Sequence, residues 1–230
     1  MIADILPAPV AVAEVFGDLP DVELYPGEEA VIASAMDRRR REFATGRACA
    51  RTALAKLGVP GAPILPGSRG APQWPPGVVG SITHCAGYRA CAVALDRDVV
   101  AIGVDAEPNR ELRDGVLKAV AGEAEEARIL ALQAAMPEVS WDRMLFSAKE
   151  AVYKAWFPLT GRRLRFRDAQ VDFDPVQATF SARLLVDGPA VNGETLTGLD
   201  GRWVAGHGLL ATAIVVPRRG DGASEGQPSI

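Results

Sequence analysis

Two acidic residues at the end of an apolar run are the first candidates for chemistry. The run Val99–Glu107 reads VVAIGVDAE. A strand alternates its side chains between two faces, so Asp105 and Glu107 share a face with Gly103. Adjacent carboxylates repel each other unless a cation lies between them, and hard oxygen ligands of this kind suit Mg²⁺. The pair indicates either a magnesium site or a turn with solvated acids.

A later segment predicts a helix with a second polar set. Apolar residues recur at helical spacing from Ser140, which can cap the helix, to Pro158, which is expected to close it. Glu150 and Lys154 lie one turn apart on its polar stripe, beside Lys149. A carboxylate among lysines can serve a phosphate site, whereas the same i,i+4 spacing is also common on solvated helix faces.

Basic residues and one histidine add further candidates. Arg38–Arg41 and Arg47 lie in a segment, 28–57, that predicts one long basic helix or two short ones. Guanidinium groups match phosphate oxygens in pairs, although a solvated helix face is the alternative. His84 follows Gly-Ser-Ile-Thr at the end of a predicted strand, where a structural role and a functional one are both open.

The elements that must position these residues alternate between helices and strands. A proline- and glycine-rich loop follows the basic helix, and a second helical region lies at 111–136. Strands are expected at 78–85, 88–95 and 99–107, as an antiparallel meander, and at 169–173, 179–186, 201–206 and 208–217. This order predicts an α+β fold of two pseudo-symmetric halves, each with a helix packed on a small antiparallel sheet. The expected divisions are 1–104, 105–217 and a disordered tail, 218–230.

Composition narrows the classes of function. The chain has 230 residues, of which 48% are hydrophobic, and this apolar content excludes a disordered chain. Its net charge of −4 argues against nucleic-acid or anionic-membrane partners. Three cysteines in no metal-ligand spacing favour a reducing compartment. No signal peptide or membrane span is evident, so a cytoplasmic protein is expected.

Four short motifs together resemble one family. SRGAP at 68–72, GSITHC at 80–85, GVDAE at 103–107 and FSAKEAVYK at 146–154 are similar to the motifs of 4′-phosphopantetheinyl transferases. The resemblance covers almost the whole chain from the arginine helix to the last strand. It is nearest to the surfactin-type group, which includes enterobactin synthase component D, and to its actinobacterial branch.

The resemblance implies a reaction of the holo-acyl-carrier-protein synthase type. The 4′-phosphopantetheine arm of coenzyme A (CoA) would be transferred to a serine of apo acyl or peptidyl carrier proteins, releasing adenosine 3′,5′-bisphosphate. The carriers would belong to polyketide, non-ribosomal peptide, siderophore or fatty-acid synthases. The implied cofactor is Mg²⁺, with Mn²⁺ as an alternative, and the implied enzyme is a monomer with CoA in the cleft between its halves. A magnesium phosphodiesterase and a nucleic-acid binder are the competing hypotheses.

The resemblance also assigns roles to residues. Asp105, Glu107 and Glu150 would hold the metal, and Asp105, Glu150 and Lys154 would be catalytic, with Glu150 or a metal-bound water accepting the serine proton. His84 would contact the CoA 3′-phosphate with Arg39 and Arg47. The full set of residues expected to bind CoA is Arg39, Arg47, Arg69, Gly70, Ala71, Pro72, Thr83, His84, Asp105, Lys149, Glu150 and Lys154.

Three details of this assignment are specific to the present chain. Arg69 stands where many members have lysine, which keeps the charge but changes the geometry. Either Glu123 or Glu125 is a candidate for a further acidic residue near the metal. A basic run, 162–167, is expected to steer an acidic carrier protein, with apolar residues of 111–136 supplying contact area.

Overall fold

The computed structural model describes residues 1–219, which form five α-helices, three short 3₁₀ helices and ten strands. The helices are α1 (Pro26–Ile32), α2 (Asp37–Lys56), α3 (Val116–Val120), α4 (Glu123–Ala135) and α5 (Trp141–Thr160). The strands are β1 (Ala11–Phe16), β2 (Val78–Cys85), β3 (Tyr88–Leu95), β4 (Val99–Pro108), β5 (Ala169–Asp174), β6 (Thr179–Leu184), β7 (Ala190–Val191), β8 (Glu194–Thr195), β9 (Gly198–Gly206) and β10 (Leu209–Pro217). The α+β prediction is confirmed.

Two antiparallel sheets pack face to face, and each is covered by a long helix. The first sheet has the order β1-β3-β2 and packs one face on α2, through residues such as Leu54 and Val93. The second has the order β4-β10-β9-β6-β5 and packs one face on α5, around Trp141 and Trp156. The inner faces meet through small residues, among them Ala92 and Ala211, so the four layers run helix, sheet, sheet, helix.

The predicted three-strand meander is wrong for its third strand. β2 and β3 form the expected hairpin, but β4 leaves it and pairs with β10 in the second sheet. Hydroxyl groups of β2 cap the free edge of β4: Ser81 Oγ accepts from Val104 N at 3.1 Å, and Thr83 Oγ1 accepts from Ala106 N at 2.9 Å. The expected division after residue 104 therefore falls inside a strand of the second sheet.

Other boundaries also differ from the predictions. The segment 28–57, for which the sequence predicts one long basic helix or two short ones, contains most of the short α1 and the 20-residue α2, and the basic residues lie on α2. Pro158 lies inside the last turn of α5, which ends at Gly161 with a φ of 63°. Ser140 is the N-cap residue but makes no side-chain capping bond. The sequence analysis missed β1 and the β7–β8 hairpin.

Only the first residues of the predicted tail are described. The backbone N–H of Arg218 donates to Asp98 O at 3.0 Å, and Arg219 pairs with Glu194 at 3.1 Å. These contacts tie the end of β10 to the body of the protein. The rest of the predicted tail, 220–230, lies outside the described residues.

Candidate active site

A glycine lets α5 approach β4 closely, and this contact builds the centre of the site. A Cβ atom at Gly103 would lie 1.9 Å from Ala151 O, so no other residue fits without moving the helix. Asp105 follows on the same face of the strand, as the period-2 pattern predicts, and therefore meets α5 one turn further along. Lys154 Nζ donates to Asp105 Oδ1 at 2.8 Å and to Val104 O at 3.0 Å.

Asp105 is buried but has an oxygen to spare. The residue is 5% exposed, and among the described residues its Oδ2 has no hydrogen-bond partner. A buried carboxylate oxygen left in this state is costly, and a donor or a cation would relieve the cost. The Lys154 side chain is 27% exposed, so its ammonium is accessible from the cleft.

Glu107 and Glu150 share the electrostatic environment of Asp105. Burial raises the pKa of Glu107, and the charge of Asp105 adds to the rise, although Arg143 Nη1 donates to its Oε2 at 3.0 Å. Burial also raises the pKa of Glu150, again with a contribution from Asp105 and a smaller one from Glu107. The three carboxylates therefore repel one another, and a divalent cation would stabilise their charged forms.

These oxygens do not form a preassembled metal cage. Within residues 1–219, no group of three or more His, Cys, Asp and Glu side chains has metal-binding geometry. Lys154 and Arg143 instead supply positive charge to Asp105 and Glu107. The spare buried oxygen of Asp105 and the mutual repulsion of the carboxylates are chemically compatible with a divalent cation such as Mg²⁺.

Lys149 has a different place from the one predicted. Its Nζ donates to Glu125 Oε2 at 2.9 Å and contacts the carbonyl oxygens of Val120, Phe166 and Ala169 at 2.9, 2.8 and 2.9 Å. An ammonium has three protons, so four acceptors leave none for a substrate. In this structure the Lys149 ammonium is therefore paired internally, although the residue also lines the larger groove beside Glu150.

The two further acidic candidates, Glu123 and Glu125, lie away from the carboxylates of β4. Glu125 is buried, and its Oε1 also accepts from Val171 N at 2.8 Å, so it belongs to the interior between α4 and β5. Glu123 is exposed at the start of α4. Neither is placed with the carboxylates of β4, and the extra metal ligand expected at these positions is not assigned.

Two grooves meet beside Glu150. The smaller, about 260 Å³, runs between β2 and α5. The larger, about 720 Å³, runs along the segment after α5 and includes the exposed Arg163, Arg165 and Arg167. Both grooves are lined by Arg69, Glu150 and Tyr153. The two grooves therefore adjoin at Arg69, Glu150 and Tyr153.

The loop that carries the SRGAP motif forms one wall of the smaller groove. Gly67 N donates to Ala71 O at 2.7 Å, which closes a tight turn. Arg69 and Gly70 lie at its tip with φ angles of 54° and 79°. The left-handed conformation is unusual for arginine and fixes the direction of its side chain. All four predicted residues of this loop, Arg69, Gly70, Ala71 and Pro72, line the groove.

A second cluster forms where β2 ends beside α2. Arg39 Nη1 lies 2.9 Å from His84 Nε2, so these two predicted residues come together. Arg47 is buried, stacks 4.0 Å from the centre of the Phe43 ring and donates from Nε to Ile64 O at 2.7 Å. Burial lowers the pKa of Arg47 to about 10. Thr83 is buried and serves the β2–β4 contact described above.

The two clusters belong to one electrostatic region. Burial lowers the pKa of His84, Arg39 lowers it further, and the charge of Lys154 acts in the same direction. A ligand that spans from His84 to Glu150 would therefore be in a field dominated by cations at one end and carboxylates at the other.

Comparison with known proteins agrees with this layout. The family model described as "4′-phosphopantetheinyl transferase N-terminal domain" matches residues 27–94, and the model described as "4′-phosphopantetheinyl transferase superfamily" matches residues 101–197. The 4′-phosphopantetheinyl transferase Svp of Streptomyces mobaraensis is 53% identical over 219 residues, which cover 94% of this chain and 89% of Svp. The chain belongs to the 4′-phosphopantetheinyl transferase family.

Other relatives of the transferase are more distant. The 4′-phosphopantetheinyl transferase PptT of Mycobacterium tuberculosis is 48% identical, with 94% of this chain and 98% of PptT covered. Enterobactin synthase component D of Salmonella typhi is 32% identical over 123 residues, which cover 54% of this chain and 50% of that protein. As a phosphopantetheinyl transferase, the protein uses CoA and modifies carrier proteins.

Sequence reasoning missed three residues of the transferase site. Glu42 lies between the cations of the His84 cluster, Tyr153 lines both grooves, and Arg143 pairs with Glu107. Glu42 and Arg38 are four residues apart on α2, which is the one spacing signal available.

In the described part of the chain, no helix has the length and apolar character needed to cross a membrane.

Proposed function

We propose that this transferase moves the 4′-phosphopantetheine arm of CoA to a serine hydroxyl of apo acyl or peptidyl carrier proteins, in a magnesium-dependent reaction of the holo-acyl-carrier-protein synthase type. The carriers are those of polyketide, non-ribosomal peptide, siderophore or fatty-acid synthases. The observation that carries the proposal is the meeting of two grooves at Glu150, beside the Asp105–Lys154 pair. One groove suits CoA and the other a carrier protein.

The residues that would hold Mg²⁺ are Asp105, Glu107 and Glu150. The spare Oδ2 atom of Asp105 and the raised pKa values of Glu107 and Glu150, caused mainly by burial, support this assignment. When bound, the ion would neutralise charge on the CoA pyrophosphate, and Mn²⁺ has the same preference for oxygen ligands.

The side chains of the cleft would divide the work of the transfer. The serine hydroxyl oxygen attacks the β-phosphorus of CoA, the bond from that phosphorus to adenosine 3′,5′-bisphosphate breaks, and the serine proton passes to a base. Glu150 is the proposed base, because its raised pKa makes it a better proton acceptor than an ordinary glutamate. Lys154, held by Asp105, would stabilise negative charge on the departing phosphate.

The rest of CoA would lie toward the first sheet. Arg39 and His84 lie together and would contact the 3′-phosphate. Arg47, which is buried and donates to Ile64 O, would add positive charge to this end of the site. The Arg69–Pro72 turn would line the adenosine end of the smaller groove. Lys149 has no place in this binding site, because its protons are used inside the protein.

The larger groove would receive the carrier protein. Arg163, Arg165 and Arg167 give its rim a positive charge, which suits an acidic partner. Rim charges of this type set mainly the association rate and the salt sensitivity. Nearby, Leu130 of α4 is an exposed apolar side chain of the 111–136 segment. We also propose that the enzyme acts as a monomer in the cytoplasm, where its three free cysteines would stay reduced.

Mass spectrometry of an apo carrier protein incubated with enzyme, CoA and Mg²⁺ tests the reaction. We expect a gain of one phosphopantetheine on the carrier serine, loss of the reaction in EDTA and recovery on adding Mg²⁺. A parallel incubation of the enzyme with CoA but without carrier distinguishes a transferase from a magnesium phosphodiesterase, because a phosphodiesterase would release adenosine 3′,5′-bisphosphate even without carrier. Release without carrier, or full transfer in EDTA, would contradict the proposal.

A further inference from the structure

A single buried carboxylate, Glu42, lies among the cations at the end of β2. It is 7% exposed. Its Oε1 accepts from Arg38 Nε at 3.0 Å and lies 3.7 Å from Arg89 Nη2. Its Oε2 lies 3.9 Å from both Arg39 Nη1 and His84 Nδ1. No role in the reaction proposed above accounts for this residue.

The contact between Arg39 and His84 shows which ring nitrogen carries the proton. A guanidinium can only donate, so His84 Nε2, at 2.9 Å from Arg39 Nη1, accepts. The proton of the neutral ring is then on Nδ1, which is the nitrogen that faces Glu42. In this state the Nε2 lone pair accepts from the Arg39 guanidinium.

A phosphate dianion cannot bind such a ring, because its oxygens are also acceptors. Binding requires Arg39 to turn from His84 to the phosphate and Nε2 to carry a proton. Because Glu42 faces Nδ1 and favours a proton there as well, the ring takes up a second proton from solvent and does not move its own from Nδ1 to Nε2. The imidazolium formed in this way has Nδ1–H aimed at Glu42, and the carboxylate stabilises it from the side away from the ligand.

We propose that Glu42 is a positioning residue that lets His84 become the charged donor to the 3′-phosphate of CoA. This inference rests on the placement of the 3′-phosphate at His84 and Arg39 in the proposed function. Glu42 also holds Arg38 and Arg39 on one side of α2, so the same carboxylate keeps the phosphate ligands in place.

The surroundings of His84 agree with a change in charge upon binding. The charged groups that face the ring are Arg39, Glu42, Arg89 and Lys154. Burial and the three cations lower its pKa, and Glu42 alone raises it. An arriving dianion adds a second raising influence, so the pKa of His84 should rise when ligand binds and should rise less without Glu42.

The sign of the effect separates this proposal from simple electrostatics. Removing a negative charge near an anion site should tighten the binding of every anionic ligand. The positioning role predicts the opposite for CoA alone, because only CoA carries the 3′-phosphate. Dephospho-CoA, which lacks this group, is the matched substrate that isolates the effect.

The experiment measures kcat/KM for CoA and for dephospho-CoA in the wild type, Glu42→Gln, His84→Ala and the double variant. We expect Glu42→Gln to lower the selectivity for CoA about tenfold, since the carboxylate that stabilises the imidazolium from 3.9 Å away is lost. The double variant should be no worse than His84→Ala. Glu29→Gln is the control, because Glu29 also pairs with an arginine, Arg40, at 3.2 Å but lies outside the cluster.

Each alternative outcome is distinct. If His84→Ala lowers selectivity while Glu42→Gln leaves it unchanged or raises it, the role of Glu42 is wrong and the phosphate placement stands. If His84→Ala leaves selectivity unchanged, the placement itself fails, and the inference fails with it.

Nuclear magnetic resonance of the histidine rings provides a readout that a merely structural role would not move. The chain has only two histidines, and His207 serves as the internal reference. Addition of adenosine 3′,5′-bisphosphate should raise the pKa of His84 in the wild type and raise it less in Glu42→Gln. Should Glu42→Gln not fold, Glu42→Ala, which also removes the charge, replaces it, and the same rise as in the wild type would overturn the proposal.

Discussion

Helix α5 carries two lysines that each pair with a carboxylate, and the two pairs have opposite surroundings. The Lys149 side chain is 1% exposed, and its ammonium is enclosed by Glu125 and three carbonyl oxygens. The Lys154 side chain is 27% exposed, and its partner Asp105 keeps one oxygen without a protein partner. One pair is complete within the protein, and the other is incomplete without a ligand.

The difference shows that two lysines of one motif can have different roles, which depend on what surrounds each ammonium. The Lys149–Glu125 pair, here called the enclosed pair, joins α5 to α3, α4 and β5, and so fixes the segment that carries the arginines of the larger groove. The Lys154–Asp105 pair, here called the open pair, lies beside the grooves. Its ammonium can contact a bound anion, and the free Asp105 oxygen can contact a bound cation. We assign a structural role to the Lys149–Glu125 pair and a catalytic role to the Lys154–Asp105 pair.

The largest expected effect is the loss of activity when a carboxylate in or beside the open pair is removed. Asp105→Ala or Glu150→Ala should lower transfer at least about 100-fold, because each removes several kcal/mol of charge stabilisation. The rate is measured by mass spectrometry of the carrier, with circular dichroism as a check of folding. A folded variant with near-normal turnover would contradict the assignment.

Breaking the enclosed pair should instead affect stability. Lys149→Met leaves the buried Glu125 carboxylate without its counter-ion, with only the backbone N–H groups of Gly122 and Val171 as donors, which should cost about 3–5 kcal/mol in the free energy of unfolding. Lys149→Met/Glu125→Leu removes both charges and should recover much of this loss. Urea denaturation measures the free energies, and a single variant as stable as the wild type would show that the pair is unimportant.

Close packing at Gly103 should matter for the open pair in particular. Gly103→Ala forces α5 away from β4, at a cost of about 1–3 kcal/mol typical of an overpacked interior. Activity should fall as well, since Lys154 moves relative to Asp105. Gly122→Ala is the control, because the nearest side-chain atom to a Cβ there is 3.6 Å away. Equal behaviour of the two variants would argue against a special role for the contact.

The smallest expected effect concerns the rim of the larger groove. Arg163→Glu/Arg165→Glu should raise the KM for carrier protein on the order of a few-fold and weaken its salt dependence, because rim charges steer association. The KM for CoA should stay unchanged. Arg97→Glu, at an exposed arginine in the turn between β3 and β4, is the matched control. A rise in both KM values would point to CoA binding or to folding.

Much of the open pair was predictable from local spacing. Alternation along β4 put Asp105 and Glu107 on one face, and helical spacing put Glu150 and Lys154 on one stripe. These rules concern neighbours in the chain, and they hold wherever a strand or helix forms. The role of Gly103 as the point of closest approach required knowledge of what lies opposite it.

The enclosed pair and the sheet order were not predictable in the same way. Lys149 lies beside the apolar stripe of α5, but its partners come from three segments distant in sequence. β4 leaves the first sheet because the hydroxyls of Ser81 and Thr83 satisfy its edge, which is a tertiary contact without a local pattern. Pro158 could remain in a helix because the element was already near its end.

Calorimetric titration of CoA, in the presence of Mg²⁺, tests the central distinction most directly. The three proteins are the wild type, Lys154→Met and Lys149→Met/Glu125→Leu, each first shown to be folded. We predict that Lys154→Met weakens CoA binding and that the double variant binds CoA as the wild type does. Weakened binding by the double variant together with unchanged binding by Lys154→Met would contradict the account.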